Sequence, residues 1–320
     1  MLIAPSDPAA ISARRQQVAD ALRAVLPARC VLSDPEDTRP YECDGLAAYR
    51  QLPMIVTLPD SEAQVVAIID VCRRLQVPIV PRGAGTGLSG GAMPIADGVV
   101  LSTARLNQIV RMDAYARTAV VQPGVRNLAI SDAAARHDLY YAPDPSSQIA
   151  CTIGGNVAEN SGGVHCLKYG LTVHNVLRVR MVTIEGEVVE LGGEALDAPG
   201  LDLLAVFIGS EGMLGIVTEV TVRLIPKPST ARVIMASFGE VGAGCNAVAD
   251  LIAAGIIPAG LEMMDQTSAR MVEPFCKAGY DTDAEAILLC ESDGLAEEVE
   301  EEIGRMSAVL KQSGATAIAV

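Results

Sequence analysis

Residues 81–91 read Pro-Arg-Gly-Ala-Gly-Thr-Gly-Leu-Ser-Gly-Gly, which places five glycines in nine positions. Such a run lets the backbone take positive φ and come close to a ligand. Successive exposed N–H groups form a concavity suited to a phosphate or pyrophosphate, and Arg82 adds one positive charge beside it. Gly85, Gly87 and Gly90 satisfy G-x-G-x-x-G, with the strand-like run 77–80 ahead of them. The dinucleotide turn built on that pattern opens directly into a helix. Here the loop instead continues through Pro94 and Gly98 into the apolar run Val99, Val100, Leu101, leaving no room for the helix. No Lys-Ser/Thr pair follows the glycines, so a Walker A loop is excluded too. This segment alone is compatible with a pyrophosphate loop in another fold and equally with an ordinary surface loop.

At 320 residues the chain can bury a sizeable core, and its length suggests roughly two domains. Half the residues are apolar and there is no Trp, as in an aliphatic-packed globular protein. No apolar run reaches the ~18 residues of a membrane-spanning helix, and residues 1–7 lack the basic-then-apolar pattern of a signal peptide. A net charge of −15 argues against nucleic acid or an anionic membrane surface as partner. The eight cysteines contain no C-x-x-C pair, so zinc ribbons and thioredoxin chemistry are not expected. These features describe a cytoplasmic protein with reduced thiols, several of them buried.

In chain order, 8–26 reads as an amphipathic helix with Ile11, Val18 and Leu22 near one face, and 54–58 as a buried strand. Ser61 with Gln64 three residues on predicts a capping box. Val65, Ile68, Ile69 and Cys72 predict the core face of the helix that follows. With the strand 77–80 this makes a βαβ unit with parallel strands. The short runs 99–102, 109–113 and 118–122 are expected to be antiparallel neighbours, and 126–137 a helix. A hairpin turns at Glu185-Gly186 between 176–183 and 187–191, and 216–224 is a further strand. Pro226-Lys227-Pro228-Ser229 is the clearest linker. Beyond it, strands at 233–237, 261–264, 286–290 and 316–320 alternate with helices at 243–254 and from an Asp293 cap onward, a ferredoxin-like pattern.

Two more backbone-exposing segments accompany the glycine loop. One is Pro143-Asp144-Pro145-Ser146-Ser147 followed by Cys151-Thr152-Ile153-Gly154-Gly155-Asn156-Val157-Ala158-Glu159-Asn160-Ser161-Gly162-Gly163. The other is Ile208-Gly209-Ser210-Glu211-Gly212-Met213-Leu214-Gly215-Ile216-Val217. Three such segments in one domain suit a dinucleotide bound in extended form. In this order they resemble the FAD-binding domain of the vanillyl-alcohol-oxidase-like flavoproteins (the p-cresol-methylhydroxylase type). Within that family the run from Pro81 to Gly215 is similar to the FAD-linked subunits of bacterial glycolate oxidase and to D-lactate and D-2-hydroxyglutarate dehydrogenases.

The resemblance implies an α+β fold: an N-terminal helix over 1–27, a two-subdomain FAD-binding domain over 28–228, and an incomplete ferredoxin-like substrate (cap) domain over 229–320. It implies that Arg82, Gly83, Ala84, Gly85, Thr86, Gly87, Ser89, Gly90 and Gly91 hold the pyrophosphate. Pro143, Asp144, Ser146 and Ser147 would approach the flavin or ribityl chain. Cys151, Gly154, Gly155, Asn156, Glu159, Asn160, Gly162 and Gly163 would line the flavin slot, which Gly154→Val is expected to block. Glu211, Gly212, Gly215, Ile216 and Val217 would flank the adenine half. Thr86 stands about where some relatives attach FAD through a His, so the FAD is expected to be non-covalent.

The family chemistry is oxidation of a small 2-hydroxy acid, with hydride passing to flavin N5 and electrons passing onward. The implied partners are other glycolate oxidase subunits, an iron–sulfur electron-transfer subunit among them, with a peripheral position at the inner membrane through those subunits. Catalytic groups, and the ligands of any divalent metal in full-length relatives, are expected beyond Val320, so a C-terminally truncated member is expected. The alternative is a non-catalytic FAD-binding scaffold or inactive fragment. His137 reads as a helix-capping cation; His165 and His174 lack helical ligand spacing. Cys151 and Cys166 read as packing residues, and the acidic run 297–302 as a solvated helix face. For Lys168-Tyr169-Gly170 a structural turn and a ligand contact are equally compatible readings.

Overall fold

The spacing of Val65, Ile68, Ile69 and Cys72 is realised in the helix Glu62–Leu75, whose four marked side chains are fully buried. Burial of each such side chain contributes roughly 1.5–3 kcal/mol. The computed structural model describes residues 8–195 and 200–320, with 8–11 given by backbone alone, so Ile11 lies outside the described side chains. The chain divides into two units. The first comprises Met1–Tyr141, Ser146–Ser161 and Thr172–Ile225; the second comprises Ala142–Pro145, Gly162–Leu171 and Pro226–Val320.

Two sheets make the first unit. One has strands Val31–Leu32, Ile55–Thr57, Val99–Ser102 and Ile79–Arg82 in that spatial order. Val99–Ser102 pairs in parallel with both Ile55–Thr57 and Ile79–Arg82. It therefore lies between the two strands of the expected βαβ unit and is no antiparallel neighbour of the next run. Its burial at all four positions is the signature of a central parallel strand. The other sheet is antiparallel, in the order Ile109–Asp113, Thr118–Val121, Ile216–Arg223, Val176–Val182, Val188–Gly192. The hairpin of its last two strands turns at Gly186, whose φ of 84° suits glycine.

The capping box does not form. Ser61 holds the N-cap position in extended backbone without a side-chain capping bond. The Gln64 side chain instead accepts from the Asp60 N–H at 3.0 Å. The helix start is anchored by Glu62, which takes the Arg180 fork at 2.8 and 2.9 Å and the Thr218 hydroxyl at 2.6 Å. This bidentate pair joins the helix to the second sheet.

The second unit carries strands Thr230–Phe238, Gly260–Asp265, Ala286–Gly294 and Ala317–Ala319, with helices Val241–Ala253 and Ala296–Gln312. The spatial order Gly260–Asp265, Ala286–Gly294, Thr230–Phe238, Ala317–Ala319 is antiparallel throughout. All four strands of the ferredoxin-like order are in place. A further helix, Gln266–Cys276, links strands Gly260–Asp265 and Ala286–Gly294 in chain order. Asp293 is not a helix cap: it lies within Ala286–Gly294, and Leu295 precedes the helix. No helix among the described residues is long and apolar enough to cross a membrane.

Candidate functional site

The strand Ile79–Arg82 delivers the glycine loop to a cleft of about 1010 Å³, open mouth included, that lies within the first unit. From the loop, Arg82, Gly83, Ala84, Gly85, Thr86, Gly87 and Gly91 line it. The second segment contributes Ser147, Cys151, Gly154, Gly155, Asn156 and Glu159, and the third Glu211, Gly212, Gly215, Ile216 and Val217. Three separate loops thus converge on one concavity.

The remaining named residues stand elsewhere. Ser89 and Ser146 are solvent-exposed and, with Gly90, do not line the cleft. Asn160 closes the helix Ile153–Glu159 in left-handed backbone, and its side chain accepts from the Val173 N–H at 3.0 Å. Pro143, Asp144, Gly162 and Gly163 belong to the second unit.

Local geometry explains why glycine fills the cradle. Gly85 has φ of 72°, and a Cβ there would collide with the Arg82 guanidinium. That guanidinium donates to the Cys43 carbonyl at 2.8 Å and lies 5.6 Å from the Tyr41 ring centre. Arg82 is therefore committed to holding the loop, more than serving as the free anion-binding charge its position in sequence suggests. A Cβ on Gly83 would stand 2.5 Å from Thr152 Oγ1. Gly154 donates its N–H to the Pro123 carbonyl at 2.9 Å, and a Cβ there would meet Pro123 Cβ at 2.6 Å. A side chain at Gly154 therefore strikes Pro123 before it can block a slot. The third segment is pinned by Glu211 N–H to the Ala158 carbonyl at 2.8 Å and Gly209 N–H to the Val157 carbonyl at 2.9 Å.

Sequence reasoning missed Asp44, Thr103, Pro123, Phe207 and Ser210, all on the cleft wall, where Thr152 of the 151–156 run also stands. Asp44 had one readable signal: its Oδ1 accepts from the Leu46 N–H at 2.9 Å, the two-residue Asx turn that a lone Asp in a turn-rich stretch can form. Asp44 Oδ2, Thr152 Oγ1 and Ser210 Oγ are buried atoms without a hydrogen-bond partner. Buried polar atoms left in this way call for a ligand group. Orphaned donors and acceptors, close-approach glycines and small side chains together fit an extended dinucleotide. Asn156 is not among the free groups, since its amide donates to Asn127 Oδ1 at 2.8 Å.

The second unit has a polar cluster of its own. Lys168 Nζ reaches Asp293 Oδ1 at 2.5 Å, and the Tyr169 hydroxyl donates to the same carboxylate at 2.7 Å. Of the two readings of 168–170, the structural one is what these bonds support. His165 Nδ1 lies 2.6 Å from Asp144 and Nε2 lies 3.4 Å from Glu291. Those two carboxylates, Asp144 first, push the imidazole up to about 9 against the cost of partial burial. The pair stabilises the second unit fully below the ordinary histidine value of about 6.5, and the contribution is lost as pH rises through 9. Allowing for solvent screening it is on the order of 2 kcal/mol. Thermal unfolding followed from about pH 7 to pH 10 is expected to show that loss, and a flat profile in His165→Gln. No group of three or more His, Cys, Asp or Glu among the described residues is placed to hold a metal ion.

Known proteins resemble this chain over nearly all its length. Residues 53–192 match the family model described as FAD binding domain, and 227–320 match that of FAD linked oxidases, C-terminal domain. The glycolate oxidase subunit GlcD of Escherichia coli (strain K12) is 60% identical over 302 residues, covering 94% of this chain and 60% of that protein. A D-lactate dehydrogenase of Anaerostipes hadrus is 32% identical over 313 residues, covering 95% and 66%. The chain thus spans about 60% of the length of its glycolate oxidase relative in Escherichia coli. Among solved structures, p-cresol methylhydroxylase with substrate bound superposes with a TM-score of 0.81 at 19% identity, covering 96% of this chain and 66% of that one. An alkyldihydroxyacetonephosphate synthase gives 0.79 at 20%, covering 94% and 60%. At these identities the structural likeness speaks for the fold alone.

Proposed function

The chain belongs to the FAD-linked oxidases, and from that membership we propose that it is the flavin-carrying part of an enzyme oxidising a 2-hydroxy acid, glycolate in the first instance, to the 2-oxo acid. The observation that carries this reading is the convergence of the three backbone-exposing segments, with orphaned Asp44, Thr152 and Ser210 atoms, on one cleft. Bound there, FAD would supply a two-electron acceptor for hydride leaving the substrate Cα.

The protein's own part is to bind and orient. Backbone N–H groups of Gly83–Gly87 are assigned to the pyrophosphate, the helix Ile153–Glu159 and its N-terminal glycines to the flavin side, and Gly212–Val217 to the adenine side. Thr86 leaves the loop without a covalent attachment point of the histidine type. The domain assignment stands as part of the same proposal: residues 28–228 carry the FAD and 229–320 the substrate side.

Among the described residues, the charged groups of the cleft wall are Arg82, tied to carbonyls, and carboxylates. None is suited to clamp a substrate carboxylate. We therefore place the clamp, and the base that takes the hydroxyl proton, in the part of the relatives' length that this chain does not span. Electrons are proposed to pass to partner subunits, one of them an iron–sulfur protein, in the cytoplasm at the inner membrane. An anaerobic visible spectrum before and after glycolate tests the reading. The expected result is an oxidised, acid-releasable flavin that glycolate leaves unbleached. Bleaching would put the clamp inside these 320 residues, and absence of flavin bands would remove the cleft assignment.

A further inference from the structure

Among the described residues, three carboxylates share the cleft wall with a single cation, Arg82. Glu159 comes from the last turn of the helix Ile153–Glu159, Glu211 from the turn ahead of strand Ile216–Arg223, and Asp44 from the loop ahead of strand Ile55–Thr57. Asp44 is 7% exposed, and its Oδ2 has no partner. Glu159 Oε1 lies 3.2 Å from where a Gly91 Cβ would stand and 4.0 Å from that of Gly87. Its carboxyl group therefore rests against the glycine loop itself. The Arg82 guanidinium is turned away to the carbonyls of Cys43 and Ala92. Burial already holds Glu159 above the usual carboxylate range, with Glu211 and then Asp44 adding to it.

A dinucleotide brings two more negative charges to this loop and covers the side chains beside it. Both effects disfavour an ionised carboxyl. A neutral carboxyl is also a hydrogen-bond donor, which an ionised one is not. We propose that Glu159 takes up a proton when a dinucleotide enters the cleft, so that its carboxyl group donates to a ligand oxygen instead of repelling it. The proposal rests on the FAD reading above and assigns Glu159 as the residue that couples FAD binding to pH.

Calorimetric titration of FAD into the flavin-stripped chain, in buffers of different ionisation heat between about pH 6 and pH 8, counts the protons directly. Uptake approaching one proton per FAD is expected, with affinity falling by up to about tenfold per pH unit over the range where Glu159 is ionised in the free chain. Glu159→Gln keeps the shape and removes the charge. It should bind FAD without proton uptake, with a flat pH profile, and more tightly than the parent at the alkaline end. No uptake by the parent chain overturns the proposal, whether or not the variant folds. Undiminished uptake in Glu159→Gln overturns it as well. So does parent-chain affinity that rises with added magnesium at fixed pH without proton uptake, because a cation would then be neutralising the site. Failure of FAD to bind at any pH would fell the flavin reading itself and this proposal with it.

Discussion

Gly154→Val is expected to yield protein without flavin and with a first unit destabilised by about 1–3 kcal/mol, the usual cost of overpacking. The contact is with structure that cannot yield: a Cβ at Gly154 stands 2.6 Å from Pro123 Cβ and 3.1 Å from the Pro123 carbonyl oxygen. That carbonyl also accepts the Gly154 N–H, so relief of the clash breaks the bond that seats the helix Ile153–Glu159. The neighbouring residue supplies the control. A Cβ at Gly155 meets only Thr152 Oγ1, at an ordinary 3.6 Å, so Gly155→Ala should fold with unchanged thermal stability. Because Gly155 lines the cleft, this variant is expected to lose FAD affinity all the same. Flavin absorbance per chain and melting temperature, read side by side, separate the two effects. Full flavin content in both variants would remove the helix Ile153–Glu159 from the site.

The second large effect is expected at Asp293. Its side chain is 3% exposed and receives Lys168 and Tyr169 together. Asp293→Ala removes the carboxylate that both groups reach and leaves Lys168 Nζ the main-chain carbonyl of residue 293, at 2.8 Å. Removing one partner of a buried pair costs about 3–5 kcal/mol; because Lys168 is 30% exposed, water recovers part of that, and about 2–3 kcal/mol is expected. Asp293→Asn keeps an acceptor for Tyr169 and should fall between the parent and the alanine variant. Denaturant unfolding measures the loss, and protease nicking within 162–171 should rise in step. An unchanged midpoint in Asp293→Ala would show that the cluster is solvated and contributes little.

Much of this architecture was readable because hydrophobic spacing reports burial directly. The helix Glu62–Leu75 and the helix Ala296–Gln312, with Val299, Ile303, Met306 and Leu310 buried, announce themselves by period. Where the sequence misled, a polar side chain had two possible employers. Asp293 suits a helix cap, yet Lys168 and Tyr169 from 125 and 124 residues away claim it, and no local pattern carries that information. Ser61 and Gln64 have the spacing of a capping box, but Glu62 beside them is held by Arg180 from the other sheet. The helix Gln266–Cys276 contains Pro274, buries only Ala269 fully and exposes Met271, Val272 and Phe275, so its apolar positions do not report burial. At the candidate site the glycine segments were legible as backbone-exposing loops. Asp44 was not legible, because one acid in a turn-rich stretch means nothing until a fold brings it to the same wall as the glycine loop.

The division of the chain also sets a schedule for its synthesis. The second unit draws on residues 142–145 and 162–171 as well as on everything from Pro226. Lys168 leaves the ribosome 125 residues ahead of Asp293. At elongation rates of about 5–20 residues per second, the earlier strand of chain waits on the order of 10 s for its counterpart. During that interval the first unit can assemble around segments that have, as yet, nothing to bind. A shortened polypeptide that began at Pro226 would carry all four strands of the second unit's sheet and still lack the Lys168, Tyr169 and His165 ties that fasten it. Expression of that piece with and without a supplied 162–171 peptide would show how far the later unit depends on what was made before it.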